Sequence, residues 1–163
     1  MSEQSRSGSA PMLLREVLRA ALLTSALLLL TTGLSLADPV TDVATVLREV
    51  RQDQPLPELL YLQRAAPMNP DSGYFKGRYG AIDISVETHP GSDRVAAILL
   101  EIPGPDRTRQ LLPAVSEVLG PPSSSDPRHG IYGWEWPEFR AASLHYATAG
   151  GNAGLTVVSI FYR

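Results

Sequence analysis

The stretch Ile82-Asp83-Ile84-Ser85-Val86-Glu87-Thr88-His89-Pro90-Gly91-Ser92-Asp93-Arg94-Val95-Ala96-Ala97-Ile98-Leu99-Leu100-Glu101-Ile102 decides the fold class. In its first part Ile82, Ile84 and Val86 alternate with Asp83, Ser85 and Glu87, the period of two that gives a strand one buried and one wet face. His89 to Asp93 gathers Pro, Gly, Ser and Asp and reads as a hairpin turn. From Val95 to Ile102 the run Ala96 to Leu100 is apolar on both faces, as expected of a strand at the centre of a sheet.

Toward the C-terminus, Pro103-Gly104-Pro105 break the sheet, and Asp106 or Thr108 can cap a helix carrying Leu111, Leu112, Val115, Val118 and Leu119. Gly120-Pro121-Pro122 stop that helix, and Pro113 belongs in its first turn or two. After a polar loop, Ser123 to Gly130, three strands follow: Ile131–Trp136, Arg140–Thr148 and Leu155–Arg163, the last two joined by a Gly-rich turn. Toward the N-terminus, Ala66 to Gly73 is turn-rich, and Pro57 opens a short helix with Leu59, Leu60 and Leu62. Before it, Val43, Val46, Leu47 and Val50 define a helix over Thr41 to Arg51. The order ααββαβββ predicts an α+β domain, its helices packed on one face of an antiparallel sheet of about five strands. No internal repeat is readable.

The chain has 163 residues, 44% hydrophobic and 19% charged, with a formal net charge of -3 and no cysteine. Too apolar for disorder, it has no basic footprint for nucleic acid, and it excludes disulfides, thiolate metal sites and a lipidated bacterial N-terminus. Arg6, Arg15 and Arg19 precede an uncharged, leucine-rich run from Ala20 to Ala37 that ends in Ser35-Leu36-Ala37, the three parts of a secretory signal. Residues 1–37 are therefore expected to be a signal peptide cut before Asp38, and 38–163 a single acidic domain. The alternative is an inner-membrane anchor, the one contact with a membrane that the sequence suggests. A cysteine-free exported domain points to the bacterial periplasm.

No catalytic constellation stands out. His89 and His129 fall in turns and His145 on a strand, without the spacing of a metal site, so no metal and no cofactor is expected. Asp83 and Glu87 lie about 13 Å apart along one strand, too far for a coupled acid and base. Ser92 sits in a tight turn without an adjacent base, and Gly150 to Gly154 lacks the lysine and helix of a phosphate loop. The aromatic residues say more: Tyr132, Trp134 and Trp136 alternate along one strand face and either pack a core or, with Tyr79 and His145 from neighbouring strands, form a recognition surface. The last strand is apolar on both faces, Leu155, Val157 and Phe161 against Val158, Ile160 and Tyr162, so something should cover the face that helices leave bare.

Leu119-Gly120-Pro121-Pro122 closing a helix, then a loop, Gly133-Trp134-Glu135-Trp136 and two further strands, resembles small envelope modules of the beta-lactamase inhibitor protein and SmpA/OmlA (BamE) type over residues 106–163. Those families set a helical pair against a curved antiparallel sheet and bind proteins. This chain departs from them in lacking a lipobox cysteine and an inhibitor-type disulfide, and in placing two strands before the long helix. The resemblance implies a binding module and transfers no functional residue. The expectation is a periplasmic, non-enzymatic protein whose partner is another protein, such as an inhibitor or immunity protein acting on an envelope-targeted toxin or hydrolase. An accessory factor in envelope assembly, or a small-molecule carrier or enzyme, are the alternatives.

Overall fold

The fold is described from a computed structural model, covering residues 38–67, 69–148 and 154–163. The expected export segment, 1–37, and most of the expected Gly-rich turn, 149–153, lie outside the described residues. Asp38 caps the first helix, α1 (Pro39–Glu49), by accepting from the Val40 N–H at 3.2 Å and the Thr41 hydroxyl at 2.9 Å. Pro39 stands where a backbone N–H has no helical acceptor, so its ring does no harm. The second helix, α2 (Thr108–Leu119), is started by Asp106, whose Oδ1 takes both the N–H and the hydroxyl of Thr108, at 2.8 and 2.7 Å. Pro113 lies in its second turn and leaves the Arg109 carbonyl without its helical donor.

Eight strands form one antiparallel sheet in the order β1-β2-β3-β4-β8-β7-β6-β5. They are β1 (Leu62–Arg64), β2 (Tyr74–Tyr79), β3 (Ile82–Thr88), β4 (Val95–Pro103), β5 (Ser124–Asp126), β6 (Ile131–Glu135), β7 (Arg140–Ala147) and β8 (Leu155–Tyr162). The chain thus reads αββββαββββ, two like halves whose last strands pair at the centre, Leu100 opposite Val158. No described element covers the sheet edges, which are short and mostly polar, a form that discourages edge-to-edge pairing.

This overturns the expected five-stranded ααββαβββ arrangement, including its picture of helices packed over such a sheet. The helix expected from Pro57 is extended chain leading into β1, with Leu60 fully in solvent. Its leucines have helical spacing, but Pro55 and Pro57 confine them, and the Leu62 N–H reaches only Leu59 O, one isolated turn. Ser124–Asp126, read as loop, pairs with Ile131–Gly133. β2 escaped notice because Gly77 and the charges of Lys76 and Arg78 dilute its alternation, although Phe75 faces Val86 and Tyr79 faces Ile82.

Residues directly opposite in the ladder share a face, which sorts the sheet into two surfaces. One carries Ile82, Ile84, Val86, Ile98, Leu100, Ile102, Ala142, Leu144, Val158 and Ile160, and these form a single core with Val43, Val46 and Leu47 of α1 and Leu111 and Val115 of α2. Gly77 lies on this face opposite Ile84, and only glycine fits there because a Cβ would stand 1.7 Å from the Tyr61 carbonyl oxygen. No helix among the described residues is long and apolar enough to cross a membrane.

Candidate functional site

The five aromatic and histidine residues singled out from the sequence do not assemble on one surface. Tyr132 and Trp134 point into the core under the helices, and Trp134, 1% exposed, donates its indole N–H to the Gly120 carbonyl at 2.8 Å. That bond ties β6 to the end of α2, a structural role that period-two alternation alone could not distinguish from recognition. Trp136 packs half-buried beside the core under the Arg140 guanidinium, 5.5 Å from its ring centre. Tyr79 stacks edge-on against Tyr61 at 5.0 Å. His145 is on the opposite face of the sheet, where Ser143 bridges its Nδ1 at 3.2 Å and the Ser159 hydroxyl at 2.9 Å.

That opposite face is covered by no described element. Its centre is a band of half-buried Ala97, Leu99, Leu155 and Phe161 with Ala141 and Val157 buried between them, interrupted by Ser85, Ser143 and Ser159. Around it stand five carboxylates, Asp83, Glu87, Glu101, Asp126 and Glu135, against three cations, Lys76, Arg78 and Arg163. Arg78 grips Asp83 with two hydrogen bonds, at 2.8 and 3.1 Å, which hold the Asp83 carboxyl below its ordinary range. Glu135 is paired with Arg163. The six longer strands, about 4.8 Å apart and rising about 3.4 Å per residue, make this face about 29 Å wide and 24 Å long, or about 700 Å².

A second constellation lies at one end of the sheet. After α1 the chain runs along the start of β4, the Asp53 N–H donating to Val95 O at 2.8 Å and the Val95 N–H to Gln54 O at 2.9 Å. Asp53 adopts φ 64°, a left-handed conformation that costs a non-glycine residue about 1 kcal/mol or more. Its Oδ1 accepts from the Tyr162 hydroxyl at 2.5 Å and faces His89 Nε2 at 3.1 Å, while Arg140 Nε stands 3.5 Å from Oδ2. Burial favours the neutral acid here, but Tyr162, His89 and Arg140 outweigh it and keep the Asp53 carboxyl below its usual value. Burial, reinforced by the Asp53 hydrogen bond, pushes the Tyr162 hydroxyl up to about 12. Buried Gln52 completes the cluster, donating to Ala96 O at 2.9 Å and accepting from Arg140 Nε at 3.1 Å.

These contacts fasten a loop more readily than they perform chemistry. A nucleophile needs a hydroxyl or thiol within reach of the base, but Thr88, next to His89, turns its oxygen to the Gly73 N–H at 2.8 Å, and Ser92 turns its own to the Arg94 N–H at 3.0 Å. Among the described residues no three His, Asp or Glu side chains converge as a metal site would require. Comparison with protein-family models, with curated proteins and with solved structures found no match. What the geometry offers is surface: a broad, partly apolar sheet face with an acidic surround. The apolar pattern of β8 on both faces implies a cover for one of them, but which residues frame that face depends on strand order.

Proposed function

We propose that this chain is a non-enzymatic protein-binding module of the bacterial envelope, and that the uncovered sheet face is its recognition surface. One observation carries the reading: about 700 Å² of ordered sheet, apolar at its centre and acidic around it, has no described element packed on it. A footprint of that extent is on the scale of the patches that form stable protein–protein interfaces, in which each partner buries roughly 800 Å² of accessible surface. Central apolar groups that exclude water, with charge at the rim, are the usual anatomy of such contacts. The excess of carboxylates favours a partner with a basic rim, and electrostatic attraction would speed encounter at low salt. The likeness of residues 106–163 to envelope binding modules points the same way, and an inhibitor or immunity protein is its most specific form.

Export completes the proposal: the leucine-rich segment directs the chain to the periplasm, and cleavage before Asp38 leaves the cap of α1 intact. The test is a pair of affinity captures from envelope extract, one with the native protein and one with Leu99→Arg, together with the mass of the exported chain. A partner retained by the native face and lost with Leu99→Arg, on a chain beginning at Asp38, supports the reading. Equal capture by both proteins, with Leu99→Arg folded by circular dichroism, contradicts it.

A further inference from the structure

Between the C-terminal ends of α1 and α2 and the start of β7 lies a cleft of about 480 Å³, on the side of the sheet away from the proposed recognition face. Its floor is apolar, from Leu47, Val50, Leu119, Ile160 and the Trp136 ring, and its polar lining includes Arg48, Arg51 and Arg140. Arg48 is neutralised by Glu117 at 2.5 Å. Arg140 is fixed by its Nε edge, which Gln52 and Asp53 hold, and by its seat over Trp136. Among the described residues its two terminal nitrogens make no hydrogen bond, and the same is true of Arg51, whose Nε donates to Arg48 O at 3.1 Å.

We infer that this cleft is a binding site for a carboxylate carried on an apolar body. Two guanidinium groups with donors to spare stand above an apolar floor, and Arg140 is already aimed, so little side-chain entropy is lost on binding. Carboxylate geometry matches the guanidinium fork, and the volume falls in the range of small-ligand pockets. The two helix C-termini oppose an anion by only about half a charge each, and the Gly120 carbonyl is taken up by Trp134 Nε1. Asp53 acquires a second purpose: its carboxylate holds the Nε edge of Arg140. Such a ligand comes from one of two sources, a free amphiphilic acid or the C-terminal residue of a peptide ending in an apolar side chain.

Calorimetric titration of the purified protein distinguishes them. The probes are phenylbutyrate, the uncharged phenylbutanol, acetate, and a tripeptide ending in Phe with either a free or an amidated C-terminus. Saturable binding of phenylbutyrate or of the free-acid peptide, with phenylbutanol, acetate and the amide binding at least about tenfold more weakly, supports the site, and the better acid names the source. Arg51→Gln and Arg140→Gln should each weaken binding about tenfold. Arg51 is exposed, so its replacement leaves the fold untouched and keeps the test valid if Arg140→Gln unfolds. The inference is overturned if neither acid binds at millimolar concentration, if phenylbutanol binds as well as phenylbutyrate, or if Arg51→Gln binds like the native protein.

Discussion

Replacing Trp134 separates the two roles that its sequence position allows. The side chain is 1% exposed within the core, and its indole N–H satisfies the Gly120 carbonyl at 2.8 Å. Truncation to alanine opens a large cavity, costing about 4 kcal/mol, and orphans a carbonyl at the end of α2, adding about 1 kcal/mol. A domain of this size is stable by about 5–15 kcal/mol, so Trp134→Ala should lose a third of its stability or more. Trp134→Phe keeps most of the ring volume and gives up the hydrogen bond, for about 2 kcal/mol. Urea unfolding followed by far-ultraviolet circular dichroism measures both as shifts of midpoint at constant slope. A recognition tryptophan on the surface would show the reverse pattern, weakened binding at undiminished stability. A loss below about 1 kcal/mol for Trp134→Ala would refute its place in the core.

Gly77→Ala drives a methyl group into the Tyr61 carbonyl, which a Cβ would meet at 1.7 Å, and should cost about 2–3 kcal/mol while freeing β1, visible as faster amide exchange at Leu62 to Arg64. Phe139, three-quarters exposed with φ 63°, gains from glycine: Phe139→Gly should raise the unfolding free energy by about 1 kcal/mol, and no gain would show that the turn is unstrained. Because the folded Asp53 carboxyl lies below its unfolded value of about 3.9, it adds stability above that pH and loses it as pH falls through the folded value. Asp53→Asn should therefore be less stable at neutral pH and show a shallower loss between neutral and strongly acid solution; parallel profiles for the two proteins contradict the assignment.

The sequence made the centre of this molecule legible and left its margins dark. β3, β4 and β8 declare themselves by alternation or by apolar runs, since Ile84, Leu100 and Val158 meet in one buried row whatever happens at the edges. Both helices follow from their apolar spacing. β1 and β5, three residues each, exist only because a neighbour offers a ladder, and Ser124-Ser125-Asp126 has no strand preference of its own. The doubled αββββ plan leaves no repeated motif to find, because two halves can share a topology with different side chains. Alternation puts Tyr132 and Trp134 on one strand face, yet which face the helices cover is a tertiary fact. The Asp53 cluster was out of reach, since Asp53 stands 36 residues from His89 and 109 from Tyr162.

The central claim, recognition through the uncovered sheet face, is tested most directly by site-specific photocrosslinking in the producing cell. A photoreactive side chain is placed at Leu99 or Ser143 on that face, and at Gln110 on the exposed side of α2. The account predicts that one discrete protein adduct forms from both Leu99 and Ser143 and is absent from Gln110. Adducts from Gln110 alone, or none from either position on the sheet, would contradict it.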